Sequence, residues 1–188
     1  MASRSDMVGE TRGGRWRPAV WAFALFLLLL PAIAMQFTSE VVWDETDFIV
    51  FGAMLALALG AYEFLARLHG YPAYRIGFGI AIASSFFLVW VNLAVGIIGS
   101  ENNAANLMYL GVLAVVVAGA FASRFTANGM LRTTVAAAVF QALIAGIALA
   151  GDMGLGGRNW PKDTLGAPAL FVGLWLFSAG LFRVSTRN

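Results

Sequence analysis

Six long apolar segments, separated by short polar connections, constrain the fold of this chain more than any other feature. A helix needs roughly 20 apolar residues to cross the hydrocarbon core of a bilayer. The segments are continuously apolar rather than alternating, and they are too long for the strands of a membrane barrel. The sequence therefore predicts an all-α, polytopic transmembrane helix bundle. The six predicted spans are 18–35, 47–68, 76–98, 104–122, 131–150 and 167–182.

The composition leaves little material for a soluble domain. Only 12% of the residues are charged and 60% are hydrophobic, whereas a soluble domain of this size carries roughly a quarter of charged residues. No polar stretch is long enough to form a second domain. We therefore predict a single transmembrane domain over 18–184, preceded by a basic segment at 1–17 and followed by a short tail at 185–188.

The basic residues fall on one side of the six-span arrangement. All of the twelve Lys and Arg residues except Arg158 and Lys162 lie before the first span, in or beside the second or fourth connection, or after the last span. Loops rich in Lys and Arg stay in the cytoplasm, so both termini are expected to be cytoplasmic. Most acidic residues lie on the opposite side: Glu40, Asp44, Glu45, Asp47, Glu101, Asp152 and Asp163.

The first span has an alternative interpretation as a signal peptide. Arg15 and Arg17 precede an apolar run, and the small residues at 31–34 resemble a cleavage site. Cleavage there would leave five spans and place the new N-terminus outside. The apolar run is longer than the apolar part of a typical signal peptide, which favours retention and six spans.

Small residues recur at near-helical spacing within the spans, as in the pairs Gly111 with Gly119 and Gly173 with Gly180. Lipid provides no hydrophobic drive between helices, so close backbone approach through small residues holds membrane bundles together. The pattern predicts a compact bundle. It equally suits contacts between copies of the chain.

Most cofactor chemistry is excluded by composition. The chain has no cysteine and a single histidine, His69. Disulfides, zinc–thiolate sites, iron–sulfur clusters and a bis-histidine haem within one chain are therefore not expected. No cofactor is predicted. Because the arginines line one face of a membrane protein, nucleic acid is not an expected partner.

Three polar residues inside predicted spans are candidates for a functional role. Glu63 is either a proton or cation site, or one half of an i, i+4 ion pair with Arg67 at the end of a helix. Asn92 and Gln141 either line a pathway or form hydrogen bonds between helices, which contribute about 0.6 kcal/mol each.

The acidic connections suggest a weak metal site. Asp44, Asp47 and Glu101 carry the oxygen ligands that hard cations prefer. The alternative is that Asp44 and Asp47 stabilise the N-terminus of the second helix through its dipole. The chain has no calcium-loop motif, which favours helix capping.

The segment 90–109 contains the run Trp90-Val91-Asn92-Leu93 and ends on Asn106-Leu107-Met108-Tyr109. It resembles a segment of small polytopic bacterial inner-membrane proteins that have no assigned activity. The resemblance implies a bacterial inner-membrane location and no particular chemistry.

Three classes of function remain. The first is an accessory or structural subunit that binds itself or other membrane subunits within the lipid bilayer. The second is a transporter or channel for a small solute or cation, which the scarcity of charge in the spans disfavours. The third is an enzyme acting on a lipid or a lipid-soluble cofactor, which the missing nucleophile, base and metal disfavour.

Overall fold

The computed structural model of the protein describes residues 16–68, 70–157 and 159–187. Arg4, Arg12, Arg15, His69 and Arg158, used in the sequence analysis, lie outside these residues. The described part holds six α-helices, one short 3-10 helix and no strand, which confirms the all-α fold class. The helices are α1 Trp16–Ala34, α2 Glu45–Leu68, α3 Pro72–Ala94, the 3-10 helix Ala104–Met108, α4 Tyr109–Ala122, α5 Ala127–Ala150 and α6 Lys162–Ser185.

The helices have the dimensions of membrane spans. Five of them are long and apolar enough to cross a bilayer, with the fourth formed jointly by the 3-10 helix and α4. The apolar part of α1, Pro18–Ala34, is shorter. The 19 residues of the whole α1 helix extend over about 28 Å, close to the thickness of the hydrocarbon core. The chain is a multi-pass membrane protein.

The prediction for the third span was wrong at both ends. The helix begins at Pro72 rather than at residue 76, because proline is well suited to the first turn, where its missing N–H has no helical partner to lose. It ends at Ala94, and residues 95–98 leave the helix. Gly96 adopts a φ of 71°, a left-handed conformation that glycine enters without steric cost.

The chain separates into two compact units, Met1–Gly60 and Ala61–Asn188. The single transmembrane domain over 18–184 stays a prediction. Unit 1 contains α1 and most of α2. Asp44 begins α2, and the aromatic ring of Trp43 lies edge-on to Phe48 and Phe51 at 5.2 and 5.5 Å between centroids. A hydrophobic residue before the cap that packs on the first turn fixes how the chain enters a helix.

Unit 2 is a bundle of α3 to α6 together with the end of α2. Helix α6 packs extensively against α5 and α3, and α4 packs against α5. Two hydrogen bonds set α3 and α6 antiparallel. The Ser178 hydroxyl donates to the Gly77 carbonyl at 2.8 Å, and the Thr164 hydroxyl donates to the Ile97 carbonyl at 3.3 Å.

The two ends of unit 2 differ in charge. The acidic end, defined by the connections 95–108 and 151–161, carries Glu101, Asp152 and Asp163 beside Lys162. The basic end, defined by the connection 123–126 and the helix termini around it, carries a set of arginines. These are Arg67, Arg75, Arg124, Arg132, Arg183 and Arg187.

Helices α4 and α5 approach closely through glycine. A Cβ atom added at Gly119 would lie 2.5 Å from the Thr133 Oγ1 atom, and one at Gly111 would lie 2.5 Å from the Phe140 ring. The predicted role of small residues in helix packing holds for this pair. Gly173 and Gly180 differ, because no atom lies within 4 Å of a Cβ added at either position.

Gly119→Ala is expected to lower the stability of the bundle by about 1–3 kcal/mol, because the added methyl group meets a β-branched side chain with little rotational freedom. The measurement is thermal unfolding in detergent. Gly173→Ala is the matched control, and it should leave the midpoint unchanged or slightly higher. Equal midpoints for the two variants would contradict the close approach of α4 and α5.

Candidate functional site

The segment 95–108, here called the 95–108 loop, is organised by the side chain of Asn106. Its Oδ1 atom accepts hydrogen bonds from the backbone N–H groups of Ile97 and Ile98 at 3.0 and 2.9 Å. Its Nδ2 atom donates to the carbonyls of Ser100 at 2.7 Å and Ile98 at 3.4 Å. One buried carboxamide thus replaces the hydrogen bonds that the backbone loses where α3 stops.

Glycines let the loop fold back tightly on itself and on its neighbour. Gly99 has a φ of 77°, and a Cβ there would lie 3.3 Å from the Cα atom of Gly154. The Asn103 Nδ2 atom donates to the Met153 carbonyl at 2.6 Å. The 95–108 loop is therefore fixed to the connection 151–161 at the acidic end.

A cavity of about 400 Å³ lies between the end of α3, the 95–108 loop and the beginning of α4. Its wall is mostly apolar, with a minority of polar groups. The leucines that line it are Leu88, Leu93, Leu107, Leu110 and Leu113, and the polar residues are Asn92, Glu101, Asn102, Asn103, Asn106 and Tyr109. Concave apolar sites with a few polar groups are typical of small-molecule binding.

Two residues that line this cavity each contain a buried polar atom without a hydrogen-bond partner in the part of the chain that the structure describes. Asn92 donates through Nδ2 to the Leu88 carbonyl of its own helix at 2.7 Å, whereas its Oδ1 atom is unpartnered. The hydroxyl of Tyr109, a residue only 2% exposed, is also unpartnered. Buried polar groups are usually satisfied, so both atoms mark the wall as a place for a hydrogen-bonding molecule.

Gln141 lies deeper in the bundle. It is fully buried, and neither of its amide atoms has a partner; the Trp175 Nε1 atom is in the same condition. Helices α4 and α5 are in register where Gly111 meets Phe140 and Gly119 meets Thr133. Gln141 follows Phe140, and Tyr109 is two residues before Gly111. Gln141 and Tyr109 therefore lie within about one helical turn of the same depth. Neither Asn92 nor Gln141 forms the interhelical hydrogen bond that the sequence analysis considered.

Glu63 is placed as the ion-pair interpretation describes. Its Oε2 atom lies 3.4 Å from the Arg67 guanidinium, with 19% of the Glu63 side chain and 64% of the Arg67 side chain exposed. An i, i+4 pair at a helix end contributes a few tenths of a kcal/mol.

Asp44 and Asp47 cap α2. The Asp44 N–H donates to Asp47 Oδ2 and the Asp47 N–H donates to Asp44 Oδ1, both at 3.0 Å, which is the reciprocal pattern of a capping box. Glu101 instead accepts a hydrogen bond from Asn102 at 2.9 Å. Across the described ranges, no three His, Asp or Glu side chains are grouped so that they could hold a metal ion.

Asn92 was predicted as a candidate from the sequence, but Asn106 and Tyr109 were not predicted to belong to the same site. Both lie at the end of the segment 90–109, where Tyr109 resembles an ordinary residue of the membrane interface. The missing signal was the break in α3. Once the helix is known to end at Ala94, the next asparagines become the natural source of replacement hydrogen bonds.

Asn106→Leu is expected to destabilise unit 2 by about 2–6 kcal/mol, because it leaves the two backbone N–H groups at 97 and 98 buried without acceptors, at about 1–3 kcal/mol each. Thermal unfolding in detergent measures the loss. Asn102→Leu is the control, since Asn102 is exposed and bonds only to its neighbour. A wild-type midpoint for Asn106→Leu would refute its role in the loop.

Glu63→Gln is expected to change the stability by less than about 0.5 kcal/mol, since it neutralises one side of a partly exposed i, i+4 pair with Arg67. Arg67→Gln should have a similarly small effect. The measurement is thermal unfolding at low and high salt. A loss well above 1 kcal/mol for Glu63→Gln alone would require another role for this carboxylate.

The site was compared with known proteins. Neither a protein-family description, nor a curated protein, nor a solved structure matches the chain. The interpretation of the cavity therefore depends on its own geometry. The cavity has a loop fixed by Asn106, a mostly apolar wall, and two lining residues with buried polar atoms that lack a hydrogen-bond partner.

Proposed function

We propose that this protein is a small accessory subunit of the bacterial inner membrane that binds a membrane-soluble amphipathic molecule without converting it. One observation carries the proposal: the apolar cavity between α3 and α4 contains the unpartnered Asn92 Oδ1 and Tyr109 hydroxyl in its wall. Among the described residues that line the cavity, Glu101 is the one carboxylate and there is no histidine, lysine, serine or cysteine, so no serine–histidine, cysteine–histidine or serine–lysine pair lies there. Binding is the function it supports best.

The location in the inner membrane, with both termini in the cytoplasm, is part of the proposal. It is supported by the separation of charge between the two ends of unit 2, because basic ends of membrane bundles face the cytoplasm. In this orientation the cavity opens in the outer half of the bilayer, near the acidic end.

A second candidate function is assembly with other membrane subunits or with a second copy. Gly166, Gly173 and Gly180 are spaced seven residues apart on α6, all exposed, and none has an atom within 4 Å of an added Cβ. Glycine is costly in a helix unless close packing requires it. A transmembrane helix of a partner would fit such a face.

The topology predicts opposite accessibility for two positions. The chain has no cysteine, so single cysteines can be introduced at Leu155, which is 69% exposed, and at Thr186. Leu155→Cys should react with a membrane-impermeant maleimide in intact spheroplasts, and Thr186→Cys only after lysis. Labelling of Thr186→Cys in intact spheroplasts would contradict the orientation.

Binding is tested by filling the cavity. Leu93 lines it and is 57% exposed, whereas Leu176 on α6 is 48% exposed and does not line it. Amphiphiles that co-purify with the wild-type protein after mild extraction should be absent from Leu93→Trp. Mass spectrometry of an organic extract of each protein measures them. Leu176→Trp should retain them. Identical extracts from all three proteins would overturn the proposed function.

A further inference from the structure

We infer that the cavity recognises a hydroxyl group at the polar end of an uncharged amphiphile. The inference rests on the proposed function and names the chemistry of its ligand. Two kinds of membrane-soluble molecule carry such a group, a long-chain lipid alcohol and a quinol. The shared feature is the hydroxyl, and the experiment below separates the two sources.

The unpartnered atoms determine the hydrogen-bond chemistry. The Asn92 Oδ1 atom is a carbonyl oxygen and can only accept, and the Nδ2 atom of the same amide already donates to the Leu88 carbonyl. The Tyr109 hydroxyl can donate its proton. A ligand hydroxyl satisfies both, since it donates to Asn92 and accepts from Tyr109. A ketone or an ether could satisfy only Tyr109.

The charge of the wall excludes an anionic headgroup. Glu101 is the one charged residue that lines the cavity, and no Lys or Arg does. A phosphate or carboxylate would have no cation to pair with and would approach a like charge. Burying an unpaired charge is far more costly than burying a hydrogen-bonded neutral group. A protonated amine has no lone pair to accept the hydrogen bond of the Tyr109 hydroxyl, so an uncharged hydroxyl group fits the site best.

The apolar part of the wall accounts for the rest of the ligand. Leu93, Leu107 and Leu110 line the cavity and are 57%, 66% and 58% exposed. They lie at the end of α3, in the 3-10 helix and in α4, all helices with the hydropathy of membrane spans. The cavity thus communicates with the lipid phase, and a hydrocarbon chain can extend along these leucines.

Ligand entry requires a small rearrangement. The Asn92 Oδ1 atom and the Tyr109 hydroxyl are shielded from solvent, so the groups that cover these two atoms must move aside when the ligand hydroxyl binds. Both atoms already lost their hydrogen bonds to water when the protein folded. A ligand hydroxyl therefore gains hydrogen bonds without displacing water from these two atoms, which favours binding in an apolar setting.

The test uses the full-length protein in nanodiscs and native mass spectrometry. The probes are 1-hexadecanol, its methyl ether, hexadecanoate, and a decyl-substituted benzoquinol with its quinone. Hexadecanol, the quinol or both should bind at one equivalent. The methyl ether, hexadecanoate and the quinone should each bind at least about tenfold more weakly, as expected for a lost hydrogen bond or a buried charge.

Two variants assign the hydrogen bonds. Tyr109→Phe should weaken binding of the hydroxyl probe and of the ether alike. Asn92→Leu should weaken the hydroxyl probe about tenfold and leave the ether unchanged, because the ether has no proton to donate. Leu176→Ala, at an exposed position on α6 that does not line the cavity, is the control. Unchanged melting midpoints show that a loss of binding is not a loss of fold.

The outcomes distinguish the inference from the proposed function. Binding of hexadecanol alone supports a lipid alcohol, and binding of the quinol alone supports a quinol. If the hydroxyl probes bind no better than the ether or hexadecanoate, while Leu93→Trp still empties the cavity of co-purified material, the hydroxyl inference is overturned and the binding function stands. If Leu93→Trp has no effect, both fail.

Discussion

The hydrogen bonds of the Asn106 carboxamide are the interaction on which the acidic end of unit 2 depends. An α-helix satisfies its own backbone, but a break in an apolar environment leaves N–H and C=O groups that lipid cannot satisfy. Asn106 supplies an acceptor for the N–H groups at 97 and 98 and a donor for the carbonyls at 98 and 100. Ile97 and Ile98 can therefore be almost fully buried although they lie outside any helix.

Several features of the fold follow from this break. Because the chain leaves α3 early, the Ile97 carbonyl is free to accept from Thr164 at the start of α6. Gly99 then meets the connection 151–161, which Asn103 also holds. The 3-10 helix then leads directly into α4, and the space between α3 and α4 forms the cavity. A continuous α3 through residue 98 would have removed both the loop and the site.

The fold class could be predicted from sequence because it follows from composition and segment length alone. The site could not, because it depends on where a helix stops. Residues 95–98 are as apolar as the helix before them, so hydropathy extends the span across them. The decisive signals are local: Gly96 at a left-handed φ and an asparagine ten residues further on. The ion pair of Glu63 was easier to predict, since a carboxylate and an arginine at i and i+4 can be read directly from the sequence. Whether Gln141 has a partner depends on how α5 packs against α4 and α6, which no single segment encodes.

The most direct test of this account is the hydrogen exchange of the backbone amides of Ile97 and Ile98, measured in a membrane mimetic. Both should exchange as slowly as amides in the interior of α3, since a buried side-chain acceptor protects them. The exposed N–H groups at 101 and 102 should exchange rapidly in the same sample. Rapid exchange at 97 and 98 would mean that Asn106 does not hold the loop, and the cavity as described would not exist.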